Sequence, residues 1–183
     1  LETEESRTVV TIPQTLGDRD DFSYVNRTRR NSPHGKEVFL TFDDGPSPNN
    51  TPAILDILVQ NNVKASFFVV GKKCEENPML VRQIHNSGMC ILPHTYSHEY
   101  KIYKSDEAYL DDLYKCSRVI KSITGEEIPY YTRLPGGSTN LIAGTFRNKR
   151  IREILKERGM NYVDWNVSSA DAASERVAKE RIR

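Results

Sequence analysis

At 183 residues, with 26 Lys and Arg against 25 Asp and Glu for a formal charge of +1, the chain fits one domain with a sizeable core. That balance offers a polyanion no basic face, so nucleic acid is not an expected partner. The longest apolar runs, ASFFVV (65–70) and CILP (90–93), fall far short of the roughly 20 residues a membrane-spanning helix needs.

Residues 1–36 are polar and charged apart from TVVTIP, and read as an N-terminal lead-in or linker. The first residue is Leu1 and no signal-peptide pattern is present, which leaves a cytosolic fragment and the mature part of a targeted protein both open. From there the pattern alternates. A strand over 38–42 precedes a helix opened by Thr51 and Pro52, with Ile54, Leu55, Leu58 and Val59 facing inward. KASFFVV (64–70) reads as a buried strand punctuated by Gly71. Pro78 starts a helix with Leu80, Val81 and Ile84 inward and Gly88 as its left-handed cap, and MCIL (89–92) is the third strand. Ser105, followed by Asp106 and Glu107, caps a long helix that Gly125 ends. Tyr109, Leu113, Cys116, Ile120 and Ile123 form its apolar stripe, which assigns Cys116 to the core. Cys74, Cys90 and Cys116 are odd in number and lack C-x-x-C spacing, so neither a disulfide framework nor a cysteine zinc site is expected. YYTRL (130–134) is a short strand, a basic helix near 147–158 stops at Gly159, NYVDWNV (161–167) is a fifth strand, and SERVAKERIR (174–183) begins another helix.

Five strands alternating with five helices predict parallel strands joined by helical crossovers, hence an α/β sheet or barrel. Chemistry in such folds gathers at the C-terminal ends of the strands, which directs attention to the polar residues there. Asp43 and Asp44 end the first strand, where side-chain alternation gives adjacent carboxylates different directions, although aspartates before Gly45-Pro46 also satisfy turn backbone. His94 and His98 follow the third strand four residues apart, a spacing that on a helical turn puts both imidazoles on one face. His34, in a polar loop, and His85, on a helix's outer face, read as surface residues. Two imidazoles and one carboxylate leave coordination positions open for water and substrate. Zinc there acidifies its water, so one aspartate can hold the metal while its neighbour takes the proton. Arg133 offers a cation to orient a carboxylate, and Gly136 and Gly137 allow close backbone approach and N–H donors for an oxyanion. Trp165, the single tryptophan, reaches the same end, with Asp171 beyond it.

The segments TFDDGPS (41–47), HTYSH (94–98), RLPGGS (133–138) and DWNVSSAD (164–171), in that order, closely resemble the polysaccharide deacetylases of carbohydrate esterase family 4, the NodB-homology domain. The resemblance assigns 37–183 to the catalytic domain and says nothing of 1–36. It implies a distorted (β/α) barrel and metal-dependent removal of acetyl groups from a glycan, with N-acetylglucosamine of bacterial peptidoglycan as the leading substrate. It implies Asp43 as base, Asp44, His94 and His98 as ligands of zinc, cobalt or another divalent ion, and Arg133 as tether of the base. It further implies Gly136 N–H as oxyanion donor, Pro135 and Trp165 beside the acetyl methyl, and Asp171 as the acid that tunes a catalytic histidine. The expected location is extracellular or at the cell surface, with any membrane contact through a tether outside this chain.

Three positions depart from the family pattern. Pro93 stands where Asn is usual before the first metal histidine, and Gly136 stands where an aromatic is often found. The final Leu-x-x-His strand is absent, since no histidine follows His98, and the chain stops inside a helix. The expectation is a truncated or cleaved chain lacking its C-terminal strand, with a second fragment carrying the general-acid histidine. Rival readings are an O-acetyl esterase on xylan or another glycan, a non-catalytic glycan-binding domain, and, without the resemblance, a ferrous oxygenase using the same triad.

Overall fold

The computed structural model describes residues 38–127 and 130–169. The lead-in, His34, Asp171 and the helix expected over 174–183 lie outside the described residues. Strands β1 (Thr41–Gly45), β2 (Ser66–Val69) and β3 (Cys90–Pro93) form a parallel sheet in that order, and β4 (Tyr131–Thr132) pairs in parallel with β5 (Asn161–Tyr162). The connections carry α1 (Thr51–Gln60), α2 (Gly71–Glu76), α3 (Pro78–Asn86), α4 (Asp106–Thr124), α5 (Gly144–Glu157) and a 3-10 helix, Tyr100–Lys104. The architecture is the α/β alternation expected from the sequence.

Among the described residues the two sheets do not close into a barrel. β3 ends on Pro93, which has no N–H to give a neighbouring strand. Its carbonyl still accepts Thr132 Oγ1 at 2.8 Å and the Arg133 N–H at 3.4 Å, and these bonds join the two sheets.

Both faces of the larger sheet are covered, as parallel sheets require. Phe67, Val69 and Ile91 pack with Leu55, Leu58 and Ile84 on the helical side, whereas Phe68 and Leu92 pack with Tyr131 and Val163 on the other. Helix α4 serves two cores, with Cys116 and Ile120 in the first and Leu113 beside Leu134 and Ile151 in the second. Its ends are the predicted ones. Ser105 Oγ accepts the Ala108 N–H at 3.1 Å, and Gly125 closes the helix at φ 79°.

Four local expectations are corrected. β1 runs over Thr41–Gly45, not 38–42, because pairing with β2 starts at Thr41 opposite Ser66 and Val38 is left 70% exposed. In α1 the inward face is Thr51, Leu55 and Leu58, while Val59 is 56% exposed. At about 100° per residue Val59 falls roughly a quarter-turn from the centre of that stripe. Gly71 does not merely end β2 but opens α2. NYVDWNV pairs only at Asn161–Tyr162, and the rest of it runs on as loop.

Candidate active site

The C-terminal ends of β1 and β3 carry the residues that converge. In β1, Asp43 pairs with Phe68 and Gly45 with Val69, so Asp44 is an extra residue bulged out of the ladder at φ 64°. The two carboxylates therefore diverge through a bulge rather than by simple strand alternation, and bulges of this kind re-aim a side chain next to a site. After β3 the chain does not form the helical turn expected for His94 and His98. It bends, with Thr95 at φ 66° and His98 at φ 56°. Left-handed backbone at a non-glycine residue costs about 1–3 kcal/mol and persists where surrounding contacts over-determine it.

The strain brings three ligand-type side chains together. Asp44 Oδ1 lies 3.0 Å from His98 Nε2 and 3.4 Å from His94 Nε2, and the ring centroids are 4.9 Å apart. One ligand atom from each residue falls within 4.8 Å of the others, the single such group among the described residues. His94 is buried, and its Nδ1 lies 2.7 Å from the Arg133 carbonyl oxygen, an acceptor that requires Nδ1 to carry a proton. With the rings protonated, Nε2 donates to Asp44, and the bonds from His94 and then His98 hold that carboxyl well below the usual carboxylate range. With His94 neutral, its Nε2 lone pair faces a carboxylate oxygen, and three Lewis bases share one space. That donor set fits a divalent cation in place of the protons. The carbonyl bond on Nδ1 is the orienting contact metal-binding histidines require.

Asp43 faces a different partner. Arg133, 2% exposed, donates from Nη1 to Asp43 Oδ1 at 2.6 Å and to Thr41 Oγ1 at 3.0 Å, and from Nε to the Val163 carbonyl at 2.9 Å. Its guanidinium lies 4.1 Å from the Phe68 ring centre and 5.4 Å from that of Trp165. A planar fork with several fixed donors suits such a position and a lysine does not.

The turn after β4 completes the rim. Pro135 is buried with its carbonyl accepting Tyr103 Oη at 2.9 Å. Gly136 and Gly137 have φ of 75° and 83°, and a Cβ on Gly136 would meet Tyr100 Oη at 2.8 Å. The space an aromatic would need at 136 is thus taken by Tyr100. Trp165 is 46% exposed and sits over Gly137, whose Cβ would lie 3.2 Å from its ring. A cleft of about 320 Å³ adjoins Asp44 and His98, lined also by Val70, Lys72, Lys73, Glu76 and Ser97.

Two contacts on the site were missed from the sequence. Lys73 Nζ donates to the Asp44 carbonyl at 2.7 Å, from a segment the sequence reading gave no role. The Asp164 carboxylate accepts the Ser138 N–H at 3.0 Å and the Ser138 hydroxyl, fixing the glycine turn. Asp164 was within reach of the strand-end rule, whereas Lys73 carries no local signal. His85 pairs with Glu126 at 3.1 Å and stays apart from the cluster.

Fold and side chains together define a class: an α/β chain with a two-histidine, one-carboxylate cluster at its strand ends and an arginine-held aspartate alongside. Residues 30–163 match the family model for polysaccharide deacetylase, and the chain belongs to that family. A peptidoglycan-N-acetylglucosamine deacetylase of Bacillus cereus is 35% identical over 162 residues, 85% of this chain and 57% of that protein. The catalytic domain of peptidoglycan N-acetylglucosamine deacetylase from Eubacterium rectale superposes with a TM-score of 0.71 at 36% identity, covering 79% of this chain and 66% of that one. A family 4 carbohydrate esterase from Streptomyces lividans, solved with acetate, gives a TM-score of 0.66 at 30% identity over 79% of this chain and 69% of its own. This chain therefore spans 57% of the length of the Bacillus cereus relative.

Proposed function

We propose that the chain is the catalytic part of a divalent-metal-dependent hydrolase that removes acetyl groups from N-acetylglucosamine units of a bacterial cell-wall polysaccharide, peptidoglycan first, at or outside the cell surface. Residues from 37 onward form the catalytic domain, in a distorted (β/α) barrel to which further strands contribute. The observation that carries this reading is the meeting of Asp44, His94 and His98 beside an aspartate held by a buried arginine. The names of the similar proteins point to the same substrate.

Asp44, His94 and His98 are the residues to hold the cation, zinc, cobalt or another divalent ion. Bound there, it supplies a Lewis acid that acidifies water and polarises a carbonyl. The remaining work falls to side chains and backbone. Asp43, oriented by Arg133, accepts the proton of the attacking water. The Gly136 N–H, which has no acceptor among the described residues, donates to the oxygen of the tetrahedral species. Pro135 and Trp165 border the acetyl methyl. Asp171 retains the tuning role implied by the resemblance. As the C–N bond breaks, the leaving nitrogen takes up one proton, balancing the one Asp43 accepts from water, and acetate and a free glucosamine form in equal amounts.

The test is acetate and free-amine release from peptidoglycan, chitin oligomers and acetylated xylan, with and without a chelator. Equal acetate and amine from the N-acetylated glycans, abolished by chelation, is expected. Acetate from xylan alone would show an O-acetyl esterase instead. Asp43→Asn should lower the rate by about 10²–10⁴ while metal binding persists.

A further inference from the structure

The segment from His94 to His98 holds two of the three proposed ligands in a backbone that local sequence does not favour, with Thr95 and His98 both at positive φ. Something outside the segment must fix it. Two stitches come from α2, whose Gly71 and Lys72 N–H groups donate to the Thr95 and Tyr96 carbonyls, each at 3.0 Å. The His94 N–H donates to the Val69 carbonyl of β2 at 2.8 Å, and the Tyr96 and Ser97 N–H groups point toward α4. Asp112 Oδ1 accepts the Tyr96 N–H at 2.7 Å and the Ser97 N–H at 2.9 Å, and the Asp112 main-chain carbonyl lies 3.2 Å from the Tyr96 nitrogen. One carboxylate oxygen thus gathers two consecutive N–H groups lying between the histidines.

The helix that carries the carboxylate is anchored in the core on either side of it. Leu113 and Cys116, one residue and one turn further along α4, are fully buried, and Cys116 Sγ donates to the Val69 carbonyl at 3.3 Å. The Tyr96 side chain is held too, with its hydroxyl on Glu75 Oε2 at 2.8 Å and Lys115 Nζ 3.5 Å from its ring centre. Those contacts grip the tip of the segment, but among the described residues only Asp112 accepts the Tyr96 and Ser97 N–H groups. An acceptor that receives two consecutive N–H groups shapes backbone as a capping residue does.

We infer that Asp112 is a positioning residue for the metal centre: by binding the Tyr96 and Ser97 N–H groups it sets the backbone that aims His94 and His98 at Asp44. It touches neither metal nor substrate. The inference rests on the metal-centre reading above, and contacts of this order typically change metal affinity by about 10- to 100-fold when removed.

The experiment is calorimetric titration of Zn²⁺ alone into metal-free full-length chain, well below each variant's melting temperature. Asp112→Ala should bind Zn²⁺ about 10- to 100-fold more weakly than wild type. Asp112→Asn keeps an acceptor oxygen at the same place and should recover most of that loss. Leu113→Ala, a cavity in the same helix turn, should lower the melting temperature without a comparable loss of affinity. If Asp112→Ala binds as wild type does, or Asp112→Asn is as weak as the alanine variant, the positioning role is wrong. If Leu113→Ala weakens binding equally, the effect is one of global stability and the role is again wrong. Failure of the wild-type chain itself to bind Zn²⁺ would remove the metal centre, and Asp112's role with it.

Discussion

The guanidinium of Arg133 reaches β1 through Thr41 and Asp43 and the end of β5 through Val163, while its own carbonyl holds His94. One side chain therefore orients the proposed base, and its backbone fixes the tautomer of a proposed ligand. This is a reason for the two aspartates to differ: Asp44 is turned out by the bulge toward the imidazoles, and Asp43 stays in register against the arginine. Replacing Arg133 by Met would leave the part-exposed Asp43 carboxylate without its cation and take the donor from the Thr41 hydroxyl and the Val163 carbonyl. The expected loss is about 1–3 kcal/mol in urea unfolding, the range for acceptors left without their donor in a partly buried place. Arg133→Lys should recover little of it, because an ammonium cannot serve the separate acceptors of a fork.

At the scale of elements, what could be read from sequence divides by the range of the interactions. The ends of α4 were legible because Ser105 and Gly125 act within one turn, and β2 and β3 were legible as continuous apolar runs between turn signals. The meeting of Asp44, His94 and His98 was legible because strand ends concentrate polar residues. The Asp44 bulge, the bent His94–His98 segment and α2 were not, since their backbone is set by partners distant in sequence, such as Lys73 on Asp44 and Asp112 on Tyr96. Gly71 shows how tightly α2 is pressed against its neighbours. A Cβ there would lie 2.7 Å from Tyr96 Cδ2 and 3.0 Å from Cys116 Cα. Gly→Ala in a helix with open space usually stabilises by about 0.4–1 kcal/mol. Here Gly71→Ala should destabilise by about 1–3 kcal/mol, the cost of overpacking, and the sign of the change in an unfolding titration decides the matter.

Across the whole molecule, the proposed ligands from the ends of β1 and β3, Arg133 after β4 and Trp165 beyond β5 meet at one end of two parallel sheets. The cores behind them are formed by buried apolar side chains. Burial pushes the Cys116 thiol up to about 12 and the Cys74 thiol further in the same direction. Both thiols are thus neutral well past physiological pH, and the nucleophilic thiolate forms only when the chain opens. A disulfide reagent at about pH 8, with modified sites mapped by mass spectrometry, should leave Cys74 and Cys116 unlabelled in the folded chain and label both in denaturant.

X-ray absorption at the zinc edge, on chain loaded with one equivalent of the metal, bears most directly on the centre itself. The account predicts oxygen and nitrogen neighbours at about 2.0–2.1 Å with the outer-shell scattering of two imidazoles, reduced by one imidazole in His98→Ala. A shell without imidazole, or one with sulfur at about 2.3 Å, would contradict it.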